Sequence, residues 1–74
     1  MTDADVADRL RDFGARVRAA RLSRGETQAE LSAAVGLHRT HLSAIEAGRG
    51  NVTLTTLYRI ADHVDTPVGH LLAP

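Results

Sequence analysis

Two short helix patterns that meet at a single glycine constrain this 74-residue chain more than any other feature. Thr27 and Glu30 fit a capping box, in which the threonine oxygen accepts the N–H three residues on and the glutamate reaches back. A helix is therefore predicted to begin there. It stops at Gly36, which can adopt a left-handed conformation that most residues avoid. A second short helical pattern begins near His38 and ends at Gly48.

Three further helices are predicted on either side of this pair. The first runs from about Asp3 to Arg24, with Gly14 expected to weaken its middle. Apolar residues repeat at spacings of three and four along it: Val6, Leu10, Phe13, Val17 and Ala20. Thr53 can cap a fourth helix, and Thr66 can cap a fifth with Pro67 at its first position. The fourth carries the predicted core residues Leu54, Leu57, Ile60, Ala61 and Val64.

The chain is long enough for one domain and shows no strand pattern, so an all-α fold is predicted. Residues 1–12 are expected to form an N-terminal extension of the first helix that frays, and residues 13–74 the domain itself. With 43% hydrophobic residues but only Phe13 and Tyr58 as aromatics, the core must consist of Leu, Val, Ile and Ala. So small a core gains from surface buried against a partner subunit.

Composition excludes several classes of protein. There is no cysteine, which excludes a disulfide scaffold and a thiolate zinc site. No apolar run approaches the length of about 18 residues that spans a bilayer, and no secretory signal pattern is present, so a cytoplasmic protein is expected. The formal net charge is zero, which by itself argues against nucleic acid. However, early Asp residues offset later Arg residues, so the neutral sum can hide a basic face.

The pair of short helices has the requirements of a helix-turn-helix, whose second helix enters the major groove. It needs a small residue where the helices approach, a left-handed residue at the turn, and apolar anchors facing the core. Ser32, Gly36, Leu42 and Ile45 meet these needs in that order.

The chain resembles the Cro/C1-type, or XRE, family of helix-turn-helix transcription regulators. The resemblance lies in residues 27–31, Gly36-Leu37, residues 38–48, residues 51–54 and the Leu71-Leu72 ending, and it extends from about Phe13 to Leu72. It implies a compact five-helix, lambda-repressor-like domain with the helix-turn-helix at about residues 27–47. It also implies a homodimer that binds a near-palindromic double-stranded operator, without cofactor or metal. Within the family, the sequence is similar to controller proteins of restriction–modification systems.

The resemblance assigns roles to individual residues. Base reading falls to Arg39, Thr40 and Ser43 on the recognition helix at about 38–47. His38 departs from the Ser or Thr that caps this helix in many relatives, and it can contact either a base, with those three, or a phosphate. Arg39 can donate two hydrogen bonds to guanine, or can pair with phosphate alone. Phosphate binding falls to Thr27, Gln28, His41, Arg49 and Asn51. Gln28 can also be an ordinary solvent-facing side chain, and Arg49 and Asn51 can be ordinary turn residues.

Two roles are structural rather than DNA-binding. Arg21 and Glu46 match family positions that form a salt bridge between the first and the recognition helix, where losing one partner misplaces that helix. The alternative is a solvated pair of little value. The dimer interface is expected at Tyr58, Val68 and Leu71.

Two other functions compete with DNA binding. The same fold serves in antitoxins, which mainly cover a partner protein, and net neutrality favours that alternative. An enzyme is not expected, because the Ser, His and Asp residues show no spacing of a catalytic site. His38 and His41 lie three apart on one helix, but no carboxylate set completes a metal site around them.

Overall fold

The computed structural model describes residues 1–73, and its helices follow the predicted order. They are α1 (Asp3–Ser23), α2 (Gln28–Val35), α3 (Arg39–Glu46), α4 (Leu54–His63) and α5 (Val68–Leu72). No strand occurs within these residues, so the predicted all-α class is confirmed. None of the helices found there is both long enough and apolar enough to cross a membrane. The division at residue 12 and the fraying before it stay predictions, and Pro74 lies outside the described residues.

The helix starts and stops are largely those that local chemistry dictates. The Thr27 hydroxyl accepts the Glu30 N–H at 3.1 Å while the Thr27 N–H donates to the Glu30 carboxylate at 2.9 Å, which completes the predicted capping box. Thr53 caps α4 in the same way, by accepting the Thr56 N–H. Gly36 has a φ of 75°, the left-handed conformation that ends α2. These contacts fix where α2 and α4 begin and where α2 ends.

The start of α5 differs from the prediction. Pro67, rather than Thr66, is the residue that precedes the helix, and it supplies no side-chain cap. The Thr66 hydroxyl donates instead to the Val64 carbonyl at 3.2 Å. Thr66 therefore satisfies the end of α4 and leaves the N–H groups of α5 uncapped, because its side chain turns back along the chain.

The core lies where α3 packs against α1 and α2, and α5 against α1 and α4. It is aliphatic apart from one phenylalanine, as composition requires. Its buried hydrophobic members are Phe13, Val17, Leu31, Val35, Leu42, Ile45, Leu57, Ile60, Ala61, Val64 and Leu71. This arrangement holds α3 from two sides and leaves its remaining surface to solvent.

Two predicted core residues lie outside the core. Val6 is 42% exposed and Leu54 is 71% exposed. Both share a helical stripe with buried residues, but each precedes the first buried residue of its helix, which is Phe13 in α1 and Leu57 in α4. Periodicity identifies the inward side of a helix and not how far along it the core reaches.

Candidate nucleic-acid interface

Helix α3, the predicted recognition helix, is fixed on one side and open on the other. Leu42 and Ile45 are 0% and 1% exposed, so they anchor the inner side. Three of the residues assigned to DNA reading, His38, Arg39 and Thr40, are exposed at its beginning, whereas Ser43 is half-buried one turn later. The first turn of α3 thus presents side chains that are free to reach a groove.

The beginning of α3 has no side-chain cap. His38 occupies the capping position with an extended backbone (φ −72°, ψ 144°), and its imidazole makes no capping hydrogen bond. Ser, Thr, Asp or Asn at this position normally satisfies one of the first N–H groups. The first turn of α3 therefore keeps N–H groups directed towards the solvent side.

The end of α3 is held by a buried ion pair. Arg21 Nε and Nη2 donate to the two carboxylate oxygens of Glu46 at 2.8 and 2.9 Å. Burial opposes the charge on Glu46, but the hydrogen bonds from Arg21 and Gln28 outweigh it, so the pKa of Glu46 lies below its usual value. The hydrogen bond to Glu46 likewise raises the pKa of Arg21. This two-point contact ties α3 to α1 with a defined angle.

Gly14 allows α1 to approach α3 at this same end. A Cβ atom there would overlap the carbonyl oxygen of Ile45 and lie 2.7 Å from that of Glu46. Gly14 is therefore required by packing, whereas its sequence position indicated only a weak point in α1. No local pattern signals this role, since it depends on Ile45 and Glu46, which are more than 30 positions away.

Gln28 lies beside the ion pair, in the first turn of α2. Its Nε2 donates to Glu46 Oε1 at 3.1 Å, which orients the amide. An amide nitrogen carries two N–H groups, so one remains for another acceptor. The Thr27 hydroxyl oxygen accepts the Glu30 N–H in capping α2, which leaves its O–H hydrogen available as a donor. Gln28 and Thr27 therefore each keep a donor for a phosphate.

The loop after α3 carries the remaining predicted phosphate ligands. Arg49 and Asn51 are exposed. His41 Nε2 lies 3.0 Å from the Asn51 carbonyl oxygen, so this histidine connects the recognition helix to the loop. A Cβ at Gly50 would lie 3.0 Å from two atoms of Ile45, which brings the loop backbone close to α3.

Gln28 and Arg39 line one open concave surface of about 700 Å³. Its other lining residues belong to the corner between α1 and α2: Arg21, Leu22, Gly25, Glu26, Thr27 and Ala29. A positively charged side chain and a helix N-terminus therefore face the same space, which suits an anion. The structure thus brings the predicted phosphate ligand on α2 together with the predicted base reader on α3.

A second set of predicted residues lies on α4 and α5. Tyr58 is 60% exposed and Val68 is half-buried, and both line a shallow depression of about 390 Å³. Leu71 is only 1% exposed and belongs to the core. It is thus an internal packing residue with little surface for a partner, because α5 turns it towards α1 and α4.

One contact has no signal in the sequence, because its two residues are 37 positions apart. His63 Nε2 lies 2.7 Å from Glu26 Oε2. The hydrogen bond from His63, helped by Arg24, lowers the pKa of Glu26 despite partial burial. Within residues 1–73, no three acidic or histidine side chains are grouped to hold a metal ion.

Comparisons with known proteins agree with this geometry. A family model described as Helix-turn-helix matches residues 17–71. The control protein C.SmaI of Serratia marcescens is 36% identical to this chain, in an alignment that covers 97% of this chain and 88% of that protein.

Two crystal structures have the same fold. The restriction–modification controller protein C.AhdI of Aeromonas hydrophila matches with a TM-score of 0.79 and 32% identity, covering 84% of this chain and 94% of that one. The hypothetical transcription factor NHTF from Neisseria matches with a TM-score of 0.80 and 33% identity, covering 92% and 79%.

Proposed function

Because the chain belongs to the XRE-type helix-turn-helix family of DNA-binding transcription regulators, we propose that it binds a near-palindromic double-stranded operator as a homodimer. The observation that carries this proposal is the concave surface shared by Gln28 and Arg39. It combines a backbone contact and a base contact within one monomer. The protein acts in the cytoplasm on that DNA, without catalytic activity.

Base reading is assigned to the open first turn of α3. Arg39 has a guanidinium that can donate two parallel hydrogen bonds to guanine O6 and N7, and its exposure leaves it free to do so. The Thr40 methyl can pack on a thymine methyl. Ser43 and His38 flank these two and complete the reading surface.

Phosphate contacts are assigned to both sides of α3. Gln28 and the N-terminus of α2 bind the backbone on one side, with Thr27 as a neighbour. Arg49, Asn51 and His41 bind it on the other. Contacts on both sides fix how deeply and at what angle α3 enters the groove, but they carry no sequence information.

The dimer is assigned to the α4–α5 side, whose depression shares no lining residue with the concave surface of Gln28 and Arg39. Tyr58 and Val68 form its centre, and Leu54, at 71% exposure, adds apolar surface one turn from Tyr58. Two copies would place their recognition helices about 34 Å apart, in successive major grooves. Since relatives are named as control proteins, the regulated genes are proposed to be those of a restriction–modification system.

Selection of bound sequences from a random duplex pool tests the proposal. Enrichment of paired half-sites about one helical turn apart is expected. No enrichment at moderate salt, together with co-purification of a protein partner, would favour the antitoxin alternative instead.

The selected duplex then separates the two kinds of contact. Arg39→Ala should reduce discrimination against a scrambled duplex by about 1–3 kcal/mol. Gln28→Ala should weaken both duplexes by a similar factor, because phosphate contacts are independent of sequence. Fluorescence anisotropy with both duplexes measures the two effects. An unchanged ratio in the Arg39 variant contradicts its role in base reading.

A further inference from the structure

The turn between α1 and α2 is held by one residue, Glu26, whose three oxygen atoms all accept hydrogen bonds. Its Oε1 accepts from Arg24 Nε at 2.9 Å, and its Oε2 lies 2.7 Å from His63 Nε2. Its backbone carbonyl accepts from Arg21 Nη1 at 2.8 Å. Glu26 immediately precedes Thr27, the cap of α2, so these contacts fix the start of that helix.

The contact with His63 is the one that reaches a distant part of the fold. His63 is the last residue of α4, 37 positions from Glu26. The end of α4 is anchored in the core, because Ile60 and Val64, which lie before and after His63 in the chain, are 0% and 6% exposed. The side chains of His63 and Glu26 are themselves only 28% and 18% exposed. A hydrogen bond so shielded competes less with water than a surface pair does.

Arg21 extends this contact to the DNA-facing residues. The same guanidinium that donates to the Glu26 carbonyl also holds Glu46, whose Oε1 in turn accepts from Gln28 Nε2. Hydrogen bonds to two separate groups of Glu26, its carboxylate and its carbonyl, therefore connect α4 with Gln28. The residues involved are His63, Glu26, Arg21, Glu46 and Gln28. Neighbouring polar groups linked in this way reinforce each other's orientation.

We propose that His63 is a positioning residue for DNA binding, which holds the phosphate-binding end of α2 in place through Glu26. The proposal rests on the assignment of Gln28 as a phosphate ligand. His63 itself lies 2.7 Å from the Glu26 carboxylate and is not one of the residues assigned to DNA contacts. It acts by limiting where the turn, the cap and the Gln28 amide can lie.

The positioning can be measured in the free protein, without DNA. The chain has one glutamine and one asparagine, so a ¹⁵N-labelled sample shows two side-chain amide groups, Gln28 and Asn51. His63→Ala should shift the Gln28 amide signals and speed their exchange with water, while those of Asn51 stay unchanged. His63→Gln should restore the Gln28 signals, because a glutamine amide can donate to Glu26 in place of Nε2.

A matched control removes the other partner of the same carboxylate. Arg24 is 40% exposed, and Arg24→Ala leaves Glu26 attached to α4. This variant should leave the Gln28 signals close to those of the wild type. Thermal unfolding followed by circular dichroism establishes that each variant is folded. If His63→Ala leaves the Gln28 amide unchanged, or if Arg24→Ala moves it equally, the proposal is overturned.

DNA binding by the selected duplex and its scrambled version gives the second readout. His63→Ala should weaken both by about five-fold, the effect of about one hydrogen bond. In a Gln28→Ala background its further effect should be clearly smaller, since the main side-chain contact through which it acts is gone. Equal losses in both backgrounds overturn the positioning role, because a merely structural change would add to the effect of Gln28→Ala.

The two readouts distinguish this proposal from the proposed function. If the wild-type chain binds no duplex, DNA binding fails as a function, while the amide signals still decide whether His63 positions Gln28. If the duplex binds but His63→Ala does not weaken it, DNA binding stands and the role of His63 falls.

Discussion

The two ends of the recognition helix are built in opposite ways. At its beginning, His38 caps nothing and Arg39 and Thr40 are exposed. At its end, Glu46 is buried and held by Arg21 and Gln28. The buried end sets the angle of α3, and the open end supplies side chains that can adapt to a ligand.

Because of this difference, the polar groups of α3 that need fixed partners lie at the opposite end from the exposed residues His38, Arg39 and Thr40. Polar groups buried at the end of α3 need every hydrogen bond satisfied, and within residues 1–73 no buried side-chain nitrogen or oxygen lacks a partner. Polar groups at its beginning are solvated and need none. A change at the buried end should therefore affect folding, and a change at the open end should affect mainly recognition.

The largest effect is expected from breaking the ion pair. Arg21→Met leaves the Glu46 carboxylate buried without its main partner, which should lower the free energy of unfolding by about 3–5 kcal/mol. Urea denaturation measures this. The matched control is Arg11→Met on the same helix, which removes an exposed pair with Asp8 and should change stability by at most about 0.5 kcal/mol. Similar losses of stability in both variants would show that the buried ion pair contributes no more than an exposed one.

The close approach of α1 should give the next largest effect. A glycine-to-alanine change normally stabilises a helix. At Gly14 the added methyl meets the backbone of α3, so Gly14→Ala should lower the free energy of unfolding by about 1–3 kcal/mol. Gly69→Ala is the control, since a Cβ at this exposed helical glycine meets no atom within 4 Å. That variant should be neutral or slightly stabilising in the same urea titration. A stabilised Gly14→Ala protein would contradict the tight packing.

The starts of α2 and α4 and the end of α2 were predictable because their chemistry is local. The capping box of Thr27 and Glu30 and the left-handed turn at Gly36 involve neighbours in sequence, and both occur as expected. The pair of Arg21 and Glu46 could be anticipated only from the family resemblance, since the two residues are 25 positions apart.

The contacts that the sequence did not reveal all join residues that are far apart in the sequence. Gly14 packs on the end of α3, and His63 reaches Glu26. Leu54 and Leu71 occupy similar apolar stripes, yet one is 71% exposed and the other 1%. Helical periodicity is a property of one helix, whereas burial depends on which part of it a neighbour covers.

A new cap at the open end of α3 should change stability by less than the two substitutions above, and it should stabilise the protein rather than destabilise it. His38→Ser can supply the missing acceptor for the first turn of α3 and should stabilise the protein by about 1 kcal/mol. Thr53→Ala at the capped start of α4 should cost a similar amount and serves as the reciprocal control. Urea denaturation measures both. A destabilised His38→Ser protein would show that the histidine ring stabilises this turn through contacts other than capping.

The smallest expected effect is on how stability depends on pH, and it should come from the buried end of α3 and not from its open end. The pKa of Glu46 is lower in the folded protein than in the unfolded chain, so the stability linked to its charge is present at neutral pH. It is lost as the pH falls below about 4.5, through the folded-state pKa. Glu26, whose pKa is also lowered in the folded protein, likewise contributes stability that is lost at acid pH.

Glu46→Gln, which cannot titrate, should therefore lose less stability between pH 7 and pH 3 than the wild type does, although it starts from a lower value. The free energy of unfolding, measured in urea across this range, gives both slopes. Because no carboxylate lies in the first turn of α3, its open end should not contribute to the difference. Parallel slopes would mean that the buried ion pair is not what makes the fold sensitive to acid.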